Sequence, residues 1–269
     1  MLDGMRRLAC IALVVTTIAG GCAARRGANP SFNVTADEAQ RALREMERSP
    51  RPLSRPVVVL DGMGPPLAAS HLAGVLRRVT GDDRTVSVQF AFCGSLDACR
   101  RRAVAAVEKQ FPSDDPNWTT EVDVIGISMG GVVGRNAAAP LAEGQTGKRL
   151  KVARLFTISS PHRGALMAAL PPLIGPLQLE LRQDSRFLRS LSEREDRRAY
   201  ELVSYARLGD WVVGDANTAP EGVQPHWVPT PPLQDAHLLA FSDARIVADI
   251  ARRLRDEPPF ATDPPVPLP

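Results

Sequence analysis

The sequence has no C-x-x-C pair, no H-E-x-x-H and no Asp-rich loop. Those are the patterns that bring metal ligands together, so no metal and no other cofactor is expected. Its net charge is only +3 over 269 residues, which does not suit a nucleic-acid-binding chain. An apolar fraction of 44% is too ordinary for disorder. No internal repeat is evident. The basic residues are nearly all arginines scattered along the chain, a mark of GC-rich coding and not of a binding patch. No apolar run is long enough to span a bilayer comfortably. What remains is a length that suits one large α/β domain with a proper core.

The stretch around which the chain is organised is Glu121–Gly131, E-V-D-V-I-G-I-S-M-G-G. A β-branched run, Val122, Val124 and Ile125, predicts a strand. Gly126-Ile127-Ser128-Met129-Gly130 fits G-x-S-x-G, and the Ala-rich run Val132–Leu141 predicts a helix. Strand, sharp turn and helix are the context in which that motif means a nucleophile elbow. A serine hydroxyl is a weak nucleophile that must stand clear of the backbone beside a base. The flanking glycines let strand and helix pass closely, and the helix N-terminus directs N–H groups toward a developing oxyanion. Ser128 is the candidate nucleophile.

Before the domain, Arg6 and Arg7 precede the apolar stretch Leu8–Ile18 and then Ala19-Gly20-Gly21-Cys22. The stretch suits the h-region of an export signal over residues 1–21. Its end resembles a bacterial lipobox, with Cys22 as the lipidated residue, although Ala19 stands where that pattern usually has Leu. Cleavage near Ala24, giving a soluble exported protein, is the rival. The expected location is therefore the bacterial envelope, with the membrane as partner through the lipid. Residues 22–55 are polar and proline-punctuated and are expected to be a tether, with one amphipathic helix over Thr35–Arg48. In an oxidising compartment Cys93 and Cys99, closely spaced, are expected to form a disulfide, two buried thiols being the alternative.

From Pro56 the pattern alternates. Strands are expected at Val57–Leu60, Thr85–Phe92, the elbow strand, Lys151–Ser159, Glu201–Ala206 and Val223–Val228. Helices are expected at Leu67–Val79, Ser95–Phe111, after the elbow, at Leu177–Leu191 and at Phe241–Arg255. That alternation predicts an α/β domain over residues 56–257, a mostly parallel sheet with helices on both faces and active groups at the carboxyl ends of the strands. Residues 258–269 are proline-rich and expected to be disordered. Residues 163–200 are longer than a plain connection and begin apolar. A lid selecting apolar acyl chains, and helices packed permanently on the core, both remain open.

A serine elbow needs a base and a group to orient the base, in the chain order Ser, Asp or Glu, His. His237, in a loop before the last helix, is favoured as base over His226, which sits in a strand-like run. Asp210, after the fifth strand and a turn glycine, is favoured as acid over Asp215 and then Asp235. The oxyanion donors are expected to be the backbone N–H groups of Met129 and Met63.

Taken together, V-V-V-L-D-G-M-G, G-I-S-M-G-G, S-S-P-H-R-G and G-D-W-V-V…D-A-H-L resemble the α/β-hydrolase lipases and esterases. The nearest groups are bacterial triacylglycerol lipases and inositol-deacylase-like hydrolases. The resemblance spans about Val57 to Arg255 and implies an α/β-hydrolase fold acting on apolar acyl esters, with Ser128, Asp210 and His237 as triad. It departs at Asp61, where these families usually carry a histidine that braces the oxyanion loop. His162 matches a family position beside the site. A thioesterase or acyltransferase with the same triad, and a non-catalytic envelope lipoprotein keeping the fold, are the alternatives. Neither oligomeric state nor the acyl chain is legible.

Overall fold

The computed structural model describes residues 31–63, 67–170, 175–195 and 198–269. The expected signal segment and Cys22 lie outside the described residues. Within them the elements run α1 (Ala36–Arg48), β1 (Val57–Leu60), α2 (Ala68–Thr80), β2 (Thr85–Val88), α3 (Leu96–Gln110), β3 (Val122–Ile127), α4 (Met129–Ala138) and β4 (Val152–Ile158). Two short helices, α5 (Pro176–Glu180) and α6 (Arg186–Arg194), precede β5 (Glu201–Arg207), β6 (His226–Val228) and α7 (Ala244–Leu254).

The six strands form one all-parallel sheet in the order β2-β1-β3-β4-β5-β6. The two-residue period of a strand sorts its side chains. Val58, Leu60 and Val124 face one core with residues of α3 and α4. Val57, Val59 and Ile125 face another with residues of α1, α2 and α7. Both faces are covered, as the apolar runs require. This is the parallel α/β arrangement expected from the sequence, with the Ser128 turn following a central strand. No helix among the described residues is long and apolar enough to cross a membrane.

Four expectations are corrected. First, the segment from Ser31 on is not a tether. Thr35 and Glu38 make a reciprocal cap on α1, which buries Ala39, Leu43 and Met46. Arg255 clamps the bundle by donating to the carbonyls of Val79 (2.5 Å), Met46 (3.3 Å) and Ser49 (3.1 Å). Second, the proline-rich tail is packed and not loose. Buried Asp249 accepts the amides of Phe260 (2.6 Å) and Ala261 (2.7 Å), Phe32 bridges to Ala261, and Trp227 Nε1 donates to the Val266 carbonyl at 3.1 Å. Polar composition concealed a specific set of backbone acceptors and donors.

Third, Cys93 and Cys99 are free, buried thiols and not a disulfide. Cys99 lies in the first turn of α3, where burial and the neighbouring Cys93 push its pKa far up. A thiol kept protonated is a poor participant in disulfide exchange. Fourth, Leu177–Leu191 is two helices. The chain breaks where Asp184 takes φ 55° and Ser185 caps α6 through the Leu188 amide. The break lets Gln183 lie against Gly164, where a Cβ would come within 2.4 Å of the Gln183 nitrogen.

Candidate active site

Ser128 sits at the carboxyl end of β3 with φ 50° and ψ −123°. That conformation is costly for a side-chain-bearing residue and persists only when the surroundings enforce it. Three glycines do so. A Cβ on Gly126 would lie 2.3 Å from Gly131 Cα, one on Gly130 2.2 Å from the Leu60 carbonyl, and one on Gly131 2.2 Å from Ser160 Oγ. The Ser128 amide is spent on the Ile158 carbonyl at 2.8 Å, so the turn is tied to β4 as well.

The structure brings three of the candidate residues into one row. His237 Nε2 lies 3.0 Å from Ser128 Oγ, and His237 Nδ1 lies 2.8 Å from Asp210 Oδ2. A carboxylate can only accept, so Nδ1 carries the proton. Nε2 is then left with a lone pair toward the serine hydroxyl. The other oxygen of Asp210 accepts the amides of Val212 (3.0 Å) and Val213 (2.9 Å), which fixes its plane. The Asp210 side chain is fully buried and that of His237 nearly so.

The rival residues have other work. Asp215 accepts the amides of Gly209 (3.0 Å) and Asp210 (2.9 Å), so it shapes the turn that carries the acid. Asp235 accepts the Leu238 amide at 2.7 Å and the Trp211 indole N–H at 3.2 Å, which ties the His237 loop to the Asp210 loop. These contacts hold its pKa below the usual carboxylate range. His226 is in β6, and burial lowers its pKa to about 4. Its Nδ1 has no partner among the described residues.

Met129 opens α4 directly after Ser128, which makes no side-chain cap. The first amides of a helix have no intrahelical acceptor, so this end is suited to an anion. Met63, from the loop after β1, lines the same cavity as Ser128 and Met129. Gly62 brings that loop in closely: a Cβ there would be 3.1 Å from Ser128 Cβ.

His162 lies off this row. Arg135 Nη1 donates to its Nδ1 at 3.3 Å, so the proton is on Nε2, which donates to Thr157 Oγ1 at 3.0 Å. Thr157 then donates to Ser204 at 3.0 Å. Burial first and Arg135 second hold His162 far below the ordinary histidine pKa. Arg135 is itself buried and paired with Glu195 at the end of α6, Nε to Oε2 being 2.6 Å, and Glu195 accepts the Tyr200 hydroxyl. Sequence reading missed this chain. The one hint was Arg135 beside Asn136 in a helix otherwise of small and apolar residues.

The cavity over Ser128 measures about 240 Å³. Met63, Met167, Leu170, Leu181, Val212 and Val213 make its walls, and the one amide side chain, Gln178, is turned to the Leu170 carbonyl at 3.1 Å. Residues 165–170 and 175–182 form its roof, held by Leu166 and Met167 amides on the Val213 and Val212 carbonyls, by Arg182 on the Ala168 carbonyl, and by Glu180. Glu180 Oε2 accepts the Leu96 amide at the start of α3, at 2.6 Å. A larger, open cavity of about 730 Å³ lies elsewhere, between Arg135, Glu195, Arg198 and Glu221. It is charged, and its lining includes none of Ser128, His237 and Asp210, so size alone does not mark the site. Among the described residues no group of three or more His, Cys, Asp or Glu is placed to hold a metal ion.

No protein-family model matches the chain, and no curated protein matches its sequence. Among solved structures, a chain of Lactobacillus plantarum WCFS1 provisionally described as a cell-surface hydrolase superposes on 76% of this chain and 92% of its own. Its TM-score is 0.46 and its identity 13%.

Proposed function

We propose that this chain is a serine hydrolase that cleaves carboxylic esters of short to medium apolar acids through an acyl-enzyme. The observation that carries the reading is the row Asp210–His237–Ser128, set on an enforced elbow and opening into an apolar cavity. Ser128 Oγ attacks the ester carbonyl carbon while His237 Nε2 takes its proton. The tetrahedral oxyanion is met by the amides of Met63 and Met129. His237 then protonates the leaving alcohol, and the same residues activate a water that frees the acid. Asp210 keeps the imidazole in the accepting tautomer and stabilises its charged form. A cavity of about 240 Å³ holds roughly eight groups the size of a water or methylene, at about 30 Å³ each. Longer acyl chains would need the roof, residues 165–170 and 175–182, to move.

Export and acylation of Cys22 belong to the same proposal and rest on residues 6–22 alone. A fluorophosphonate should label the wild-type protein and not Ser128→Ala, and a panel of p-nitrophenyl esters should peak below long-chain acids. Equal labelling of both proteins would refute the nucleophile. For the anchor, Cys22→Ala should leave the detergent phase; a variant that partitions like wild type would refute lipidation.

A further inference from the structure

Helix α2 has no cap of its own. Its N-cap position is Leu67, which offers no side-chain acceptor, although the first amides of a helix need partners from elsewhere. Asp61, at the end of β1, faces this gap. The Ala69 amide, second in α2, favours the charge on its carboxylate, while Oδ1 accepts the N–H of Gly62 at 2.9 Å. One carboxyl group, 4% exposed, therefore bonds the loop where it leaves β1, and its charge is favoured by the amide in the first turn of α2. Met63 lies between those two points.

The loop has little slack on its other side. A Cβ on Gly62 would be 3.1 Å from Ser128 Cβ and 3.3 Å from the Ile127 carbonyl, so the backbone there rests directly on the elbow. The Asp61 carbonyl is in turn 2.7 Å from where a Gly130 Cβ would be. Any drift of the loop changes the distance between the Met63 amide and the space above Ser128. Such amides stabilise a transition state only when set in advance to within a few tenths of an ångström.

We propose that Asp61 is the positioning residue for the Met63 oxyanion donor, holding Gly62 and the first turn of α2 so that the Met63 amide meets the oxygen developing on a Ser128 adduct. This rests on the ester-hydrolase reading. Asp61 acts through the backbone and not on the reacting atoms. What the role requires is an acceptor oxygen and not a charge. Burial pushes the Asp61 carboxyl above its usual range, the two amides offsetting only part of that, and Oδ2 has no partner among the described residues. Asparagine keeps an acceptor oxygen in the same shape and omits the charge; alanine keeps neither.

The test measures kcat and KM on a p-nitrophenyl butyrate series, the rate of fluorophosphonate labelling and the thermal midpoint, for wild type, Asp61→Ala and Asp61→Asn. Loss of one oxyanion donor lowers kcat by about 10²–10³-fold, so Asp61→Ala should fall in that range with KM nearly unchanged. Its labelling should slow in parallel, because the phosphonyl oxygen uses the same donors. Asp61→Asn should keep kcat within roughly tenfold of wild type, since one neutral acceptor remains. If Asp61→Ala does not fold, Asp61→Ser, whose hydroxyl is too short to reach both amides, carries the same expectation. The proposal is overturned if the alanine or serine variant keeps wild-type kcat, or if asparagine falls as far as alanine. A wild-type protein that neither labels nor turns over would remove the hydrolase reading itself. One that does both, with Asp61 variants indifferent, removes only this inference.

Discussion

The two halves of the site are held in different ways. On the floor, β3 is buried along its whole length, and Gly126, Gly130 and Gly131 let backbone press on backbone. The roof, residues 165–170 and 175–182, is one short 3₁₀ turn and the five-residue helix α5, with Leu166, Leu170 and Leu179 nearly half exposed. It is fastened by separate ties: amide to carbonyl, Arg182 to Ala168, Glu180 to the start of α3. Backbone packing is all-or-none, whereas individual polar ties can be broken and remade one at a time. On the proposed reading, the floor would fix where chemistry occurs and the roof would decide what reaches it.

The sharpest way to isolate the floor is to remove chemistry while sparing structure. His237→Ala should lower kcat on the order of 10⁴-fold or more with little change in KM or thermal midpoint, and Asp210→Asn roughly 10²–10⁴-fold. Steady-state kinetics beside a melting curve decide this, and an active His237→Ala would discard the assignment. The buried ion pair that ties α4 to the end of α6 is next. Glu195→Ala leaves Arg135 buried without its partner, and breaking such a pair costs about 3–5 kcal/mol. Denaturant unfolding should show that loss, and because Arg135 also holds His162 beside Pro161, the ester activity should drop with it.

A change remote from both halves serves as control. His226 has a folded pKa of about 4, below its unfolded value of about 6.5. The unfolded chain thus binds more protons between those values, and stability falls as pH drops from about 6.5 to 4. That difference corresponds to roughly 3 kcal/mol when fully expressed. His226→Phe should flatten the dependence of the melting temperature on pH in that window, without removing it, because buried His162 titrates in the same sense. Unchanged steepness would show that His226 is accessible to solvent in the folded state. The smallest effect belongs to the roof: Leu170→Ser should raise KM for apolar acyl esters up to about tenfold with kcat held. A fall in kcat instead would mean that roof and floor are coupled.

The floor was legible in the sequence because its constraints are local. An elbow must have small residues at fixed offsets from Ser128, and a strand feeding it must be apolar. His237 and Asp210 were legible because strand ends and chain order leave few places for them. The corrections share a cause. Tail residues Phe260 and Ala261 are held by Asp249, and Ser31 and Phe32 by the tail, through backbone groups that composition does not reveal. The broken helix at Asp184 answers to Gly164, a residue twenty positions earlier. Arg135 with Glu195, and Asp235 with Trp211, pair groups separated along the chain, so neither leaves a spacing to read.

Phe32 bridges to Ala261, and the Thr262 amide donates to the Ser31 carbonyl at 2.9 Å. Residues 31–32 and 261–262 therefore lie side by side. Chains with adjacent extremities tolerate rewiring. A few flexible residues joining the tail to Ser31, with new ends opened at the exposed Gly144–Gly147 turn, should give a circularly permuted protein with the same fold and ester turnover. It would begin beside the helix that follows the elbow, so the nucleophile's own strand would become one of the last segments to emerge from the ribosome. Comparing its refolding with that of the original order would reveal whether assembly of the sheet must begin at its centre.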